Sequence, residues 1–241
     1  MKLNLFLILI CLFFSTNSHA FKFSPMSATI GVKGNESSSL FYLENDSEQP
    51  IAVQVSLAKR EMDVTGNESN PKVDSELSLY PTQLIIPANE KRSVKVSWTG
   101  KEIPTKELAY RLIAEQLPIE LEKAKNKKAS IKVLLRYVAA LYVKEGDFSS
   151  DIVVEELKVS GKKILIVVAN NGKKHQVLSN LSLTFKDEKK KKEVLIKTED
   201  LKGMSGENIL AGSKRVFSFP QIGKFSDVNS SEKVKLSFDK E

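Results

Sequence analysis

Residues Ala109–Glu120 read AYRLIAEQLPIE, and Ile131–Val143 read IKVLLRYVAALYV. Both are strand-like runs, separated by the lysine-rich break EKAKNKK (Glu122–Lys128). In the second run Ile131, Val133 and Leu135 recur at every second residue, so in a strand all three point from one face. Such a row ordinarily fills a core, and periodicity by itself favours a core strand of this chain. Here the row follows a charged spacer. A strand at a sheet edge would offer the same row to another chain.

Alternation of the same kind recurs on both sides of this stretch. Upstream, Ser39–Glu44 (SLFYLE) alternates, and Ile51–Leu57 (IAVQVSL) places Ile51, Val53, Val55 and Leu57 on one face. Val94, Val96 and Trp98 continue the period. The polar residues Asp63–Asp74 read as a long surface loop. Downstream, Ile164–Val168 (ILIVV) is a short apolar run of the kind found in buried strands, and Asn170-Asn171-Gly172 marks a turn. Leu181, Leu183 and Phe185, then Val194–Ile196, Val216, Phe217 and Phe219, and finally Val234, Leu236 and Phe238 complete the pattern. No long helical period is present. Regularly spaced short strands with turn residues between them predict an all-β protein built of sandwiches. The polar segment Lys144–Asp151 is the best linker, giving units over 21–145 and 146–241.

The first 20 residues, MKLNLFLILICLFFSTNSHA, have a basic start, an apolar middle and the small-residue ending Ser18-His19-Ala20. They read as a secretory signal peptide cleaved after Ala20. A retained anchor is the alternative, but the apolar run falls short of the roughly 20 residues a span needs. Cys11 is preceded by Ile10 where lipid attachment would want a small residue. It is the only cysteine, so the mature chain has no disulfide, although an oxidising compartment would permit one. Stability must come from core burial, for which 241 residues at 41% hydrophobic content suffice.

The formal charge is +7. Lys2 is the only charged residue of the signal, which leaves about +6 on the mature chain. Basic residues cluster at Lys123–Lys128 and Lys186–Lys197. The second cluster mixes signs and is flanked by strands, as a solvated hairpin tip would be. No aromatic residues are interleaved among these lysines, which argues against nucleic acid. Catalytic options are poor. His175 is the sole histidine after the signal, no nucleophile-elbow motif occurs, and a Cys/His zinc site cannot be assembled. There is no phosphate-binding glycine loop. No enzyme activity, cofactor or metal is expected, and His175 itself reads as a turn residue.

Six segments, in order, resemble the periplasmic PapD-like chaperones of the chaperone–usher pilus pathway. They are Ser39–Val55, Leu79–Val96 (LYPTQLIIPANEKRSVKV), Tyr110–Pro118 (YRLIAEQLP), Leu134–Val143 (LLRYVAALYV), Val167–Leu183 (VVANNGKKHQVLSNLSL) and Ile209–Phe219 (ILAGSKRVFSF). The resemblance implies two immunoglobulin-like β-sandwich domains set at an angle. It also implies a periplasmic location, pilin-like subunits as clients and an outer-membrane usher as the receiver. In this family the chaperone lends an edge strand to a subunit that lacks one. By placement the lending strand here is Ser130–Tyr137, with Ile131, Val133 and Leu135 inserted into the subunit's groove.

Familiar members hold the subunit's terminal carboxylate with a basic pair, and those positions here are Thr29 and Ala140. The wording YRLIAEQLP and LLRYVAALYV resembles the archaic branch, which does without that pair. Arg111 and Arg136 are the candidate substitutes, because guanidinium can grip a carboxylate with two parallel bonds. Each could equally be a structural arginine in an ion pair. The rival function is a secreted structural or adhesive protein of two immunoglobulin-like domains, with no lending strand.

Overall fold

The computed structural model describes residues 21–73, 75–118, 133–187, 192–226, 228 and 233–239. The signal peptide, Ile131 and the Lys123–Lys128 cluster lie outside them. Among the described residues the only helical pieces are three short 3-10 turns, at Gly34–Ser37, Thr198–Asp200 and Gly223–Phe225. Everything else is strand, turn or loop, as the alternating sequence predicts.

Eleven strands come from the first half: β1 (Phe21–Ser24), β2 (Ser27–Ile30), β3 (Ser38–Asn45), β4 (Ile51–Lys59), β5 (Glu61–Met62), β6 (Glu68–Ser69), β7 (Leu77–Tyr80), β8 (Gln83–Ile86), β9 (Lys91–Trp98), β10 (Leu108–Gln116) and β11 (Arg136–Val143). Nine of them form one sheet in the order β1-β3-β9-β7 and a second in the order β2-β11-β10-β4-β8, while β5 and β6 pair only with each other. The inward rows of the two sheets meet in a core that includes Phe41, Leu43, Val53, Val55, Val94, Val96, Leu112 and Leu141. These are the alternate positions that the sequence marks, since a strand sends every second side chain to one face. Trp98 is only half-buried at the rim of this core.

The second half supplies β12 (Ile152–Ser160), β13 (Lys163–Asn170), β14 (Gln176–Val177), β15 (Ser182–Asp187), β16 (Lys192–Lys197), β17 (Asn208–Ile209), β18 (Lys214–Pro220) and β19 (Lys233–Ser237). Two three-stranded sheets, β12-β13-β18 and β16-β15-β19, enclose a separate core around Ile164, Ile166, Val168, Leu183, Phe185 and Phe217. The chain is therefore all-β with two sandwiches. On either side of the lysine-rich tip β15 and β16 pair antiparallel, with Asp187 opposite Lys192, and residues 188–191 lie outside the described residues.

A buried asparagine turns the corner in each sandwich. Asn45 Nδ2 donates to the carbonyls of Gln49, Ile86 and Pro87, while its Oδ1 accepts from Ser47. Asn170 Nδ2 donates to the carbonyls of Lys174 and Ile209 (2.7 and 3.1 Å), and its Oδ1 accepts from the N–H groups of Asp151 and Gly172 (3.1 and 3.0 Å). A side-chain amide can serve backbone donors and acceptors at once, and a buried backbone group needs such a partner. Asn170→Ala is expected to lower stability by about 2–3 kcal/mol in urea unfolding. A loss below about 0.5 kcal/mol, the usual range of a neutral surface change, would mean that water replaces the amide at no cost.

Candidate functional site

The run that decides the fold becomes β11. Its odd-numbered residues Ala139, Leu141 and Val143 are fully buried in the first core, with Tyr137 and Leu135 packed against it. The same odd-numbered row continues toward Val133, but the sandwich ends first. Leu135 is half-buried, Leu134 is exposed, and Val133 is 73% exposed. The strand itself begins at Arg136, so of the described part of the expected lending segment, 133–137, Arg136 and Tyr137 pair with β10 while 133–135 lie ahead of the strand. Leu135 still accepts a hydrogen bond from the N–H of Gln116 (3.0 Å), which keeps it alongside β10.

One side of β11 is open over half its length. β10 pairs antiparallel with it from Arg136 to Val143. On the other side, β2 pairs in parallel only with Ala140–Val143. Arg136–Ala139 therefore have no strand on that side among the described residues. An exposed edge beside an apolar row can accept another strand, because unpaired N–H and C=O groups along it still seek partners.

The two candidate anchors are not brought together. Arg136 faces Glu115 across the ladder and pairs with it through Nε (2.6 Å), both side chains about half exposed. Arg111 lies opposite Ala140, four residues further along, or about 13 Å at the usual strand rise. It lines an open cleft of about 510 Å³ whose walls include Thr29, Arg60, Ala140, Tyr142, Lys174, His175 and Asn208. Thr29 and Ala140, the two positions where the familiar basic pair is missing, thus border the same cleft as Arg111.

Arg111 does not stand alone there. Its Nε and Nη2 both donate to Glu68 on β6 (2.9 and 2.5 Å). Arg60, just past the end of β4, donates to the same carboxylate from Nε (2.8 Å) and Nη2 (2.6 Å), and from Nη1 to the Tyr142 hydroxyl. Burial works to raise the Glu68 pKa, but the Arg111 and Arg60 guanidiniums outweigh it and hold the carboxyl below the usual glutamate value. Burial also raises the Tyr142 hydroxyl above the usual tyrosine value. Sequence reasoning missed Arg60 and Glu68. Arg60 falls between β4 and β5 on no strand, and β6, which carries Glu68, is two residues long inside the polar stretch that reads as loop, too short for any period to show.

The far wall of the cleft belongs to the second sandwich. His175, expected to be a simple turn residue, is buried and stacks on Tyr142 with ring centroids 3.8 Å apart. Its Nδ1 lies 2.6 Å from Glu107 Oε1, and its backbone N–H donates to the same oxygen at 2.9 Å. Asn208 Nδ2 donates to the Tyr142 hydroxyl at 2.8 Å. The two sandwiches are thus joined by polar contacts at the base of the cleft. Among the described residues no group of acidic, histidine and cysteine side chains could hold a metal ion.

Residues 22–144 match the PapD N-terminal domain of the pili and flagellar-assembly chaperones. The chain belongs to this family. The match covers the whole first sandwich of the chaperone, including β11. No curated protein sequence matches it. Solved structures similar in fold include the CsuC–CsuE chaperone–tip subunit pre-assembly complex of archaic Csu pili from Acinetobacter baumannii, at 18% identity and a TM-score of 0.61 over 90% of this chain and 97% of the other. The class 5 fimbriae chaperone CfaA is similar at 17% identity and 0.58, over 91% and 100%. The SafB chaperone of Salmonella enterica, solved with the pilin SafA, is similar at 15% identity and 0.54, over 86% of each chain. These likenesses span both sandwiches and extend the chaperone fold to the second half. No helix among the described residues is long and apolar enough to cross a membrane.

Proposed function

We propose that the chain is a periplasmic, non-enzymatic chaperone that captures pilin-like subunits by lending them a strand, and then delivers them to an outer-membrane usher. The carrying observation is the apolar row leading into β11 that outruns its own core at Val133, beside an edge with no strand along Arg136–Ala139 among the described residues. A subunit lacking a strand exposes an apolar groove and unpaired strand edges, both of which drive aggregation. Segment 130–137 supplies the missing ladder partner and directs Ile131 and Val133 into the groove, with Leu135 at the boundary between the two cores. Each inserted side chain contributes about 1.5–3 kcal/mol of apolar burial before ordering costs. The cleaved leader 1–20 brings the chain to the compartment where such subunits emerge.

Support for Arg111 over Arg136 as the carboxylate anchor comes from position. Arg111 shares its cleft with Thr29 and Ala140, whose small side chains leave room for a chain end, whereas Arg136 sits among solvent-exposed charges. Arg111→Ala is expected to weaken subunit capture about tenfold or more, as loss of a charge-assisted hydrogen bond would. Arg136→Ala should leave capture within about twofold, since exposed ion pairs contribute little. The reverse ranking would move the anchor to Arg136. The function itself is tested by co-expressing the tagged chain with candidate pilin-like subunits. A one-to-one complex supports strand lending. A well-folded chain that recovers no subunit would favour the adhesive or structural alternative.

A further inference from the structure

The hairpin β5–β6 is a small appendage with an outsized set of contacts. Its two strands pair only through Glu61–Ser69 and Met62–Glu68. It nevertheless reaches across to the second sandwich. Val64 accepts a hydrogen bond from the N–H of Val216 (2.7 Å), and Met62 Sδ lies 3.1 Å from Arg215 Nη1. Its turn at Gly66 lies flat on Arg215: the backbone there has φ +95°, and a Cβ would fall 2.1 Å from Arg215 Nη2. The hairpin is built into neither core, so it can shift without opening either sandwich.

From this appendage Glu68 takes up the Nε and Nη2 donors of both Arg60 and Arg111. That is the edge with which a guanidinium grips a carboxylate bidentately. As they stand, neither arginine can offer that edge to a second carboxylate. The cluster also holds two cations against one anion, with side-chain exposures of only 7% for Arg60, 16% for Arg111 and 21% for Glu68. Water screens the residual positive charge poorly there. Among the described residues no acidic side chain is in the walls of the adjoining cleft, where Lys174 and His175 stand opposite.

We propose that Glu68 is an internal competitor for the anchor: it occupies the guanidinium edges that a client's terminal carboxylate would use, and docking exchanges one carboxylate for the other. This rests on the reading of Arg111 as the anchor. The exchange makes the cleft selective. A free carboxylate in solution must displace Glu68 unaided, whereas a client paired along β11 presents its carboxylate at high effective concentration. Small carboxylic acids are kept out, and a strand-paired chain end is admitted.

The test uses the full mature chain labelled with 15N and follows the arginine Nε–Hε resonances during titration with acetate. A short peptide with a free terminal carboxylate and its amide serve as the second probe and its control. Glu68→Gln removes the competing charge and keeps an acceptor oxygen. It is expected to bind acetate and the free-acid peptide about tenfold more tightly than wild type, the scale of one charge-assisted bond. The amide should gain nothing, and Arg111→Ala should abolish binding. Glu68→Asp, which retracts the carboxylate by one methylene and keeps its charge, should fall in between and serves if Glu68→Gln does not fold. Equal or weaker binding by Glu68→Gln, with Arg111→Ala still abolishing it, would make Glu68 a support for the anchor and overturn the exchange. Undiminished binding by Arg111→Ala would instead overturn the anchor.

Discussion

Val133→Asp is expected to abolish capture of pilin-like subunits and leave the chaperone folded. The two halves of that result have separate physical grounds. Val133 is 73% exposed in the free chain, so its own fold gains little from the side chain, and a change at such a site usually moves stability by no more than about 0.5 kcal/mol. In a subunit's groove the proposed insertion would bury the same position. Replacing it forfeits about 1.5–3 kcal/mol of apolar burial. It also drives a carboxylate into an apolar slot, which costs several kcal/mol more or forces the group to take up a proton. Together these weaken binding by well over a hundredfold. Leu135→Asp is the instructive comparison, because Leu135 packs partly against the chaperone's own core and should lose fold and capture together. Co-purification of a tagged chaperone with its subunit measures capture, and urea unfolding of the free chaperone measures fold. A Val133→Asp chaperone that still recovers its subunit, or one that unfolds, would remove the residue from the lending strand.

The sandwiches were legible in the sequence because burial and strand geometry share one period. Val53 and Val55, or Leu183 and Phe185, announce both a strand and the face that is buried. The exposed end of β11 was half legible. The row at Ile131, Val133 and Leu135 is visible, but a period cannot tell where the core stops, and it stops between Leu135 and Val133. The cleft was hardest to read. Arg60, Glu68 and Arg111 come from three separate stretches of the chain, and His175 meets Glu107 across 68 residues of chain. Nothing local marks such partners, because what they satisfy is each other's charge and hydrogen bonds, not a backbone period. Arg111 drew notice only through its place within a segment that resembles a known family, and His175 only as the sole histidine after the signal, read as a turn residue.

His175→Leu is expected to cost about 1–3 kcal/mol of stability, the range for taking one hydrogen-bond partner from a buried polar group. Glu107 is among the most deeply buried charged groups of the chain, its side chain 2% exposed. Its Oε1 receives the His175 ring and backbone N–H, while its Oε2 has no hydrogen-bond partner among the described residues. Leucine keeps the bulk of the ring and the backbone N–H, but it takes the ring partner from a carboxylate whose other oxygen already lacks one. It also removes the stacking face for Tyr142. Adding Glu107→Gln to His175→Leu should restore most of the loss, because a neutral amide is far cheaper to leave partly unsatisfied than an anion. Glu107→Gln alone should cost about 1 kcal/mol, because an amide oxygen can still accept from His175. Urea unfolding of the four chains completes a double-mutant cycle, and a coupling above about 1 kcal/mol identifies the pair as an energetic joint between the sandwiches. If His175→Leu unfolds like wild type, water reaches the carboxylate and the hold between the two units lies elsewhere, with the hairpin contacts of Val64 and Met62 next to be cut.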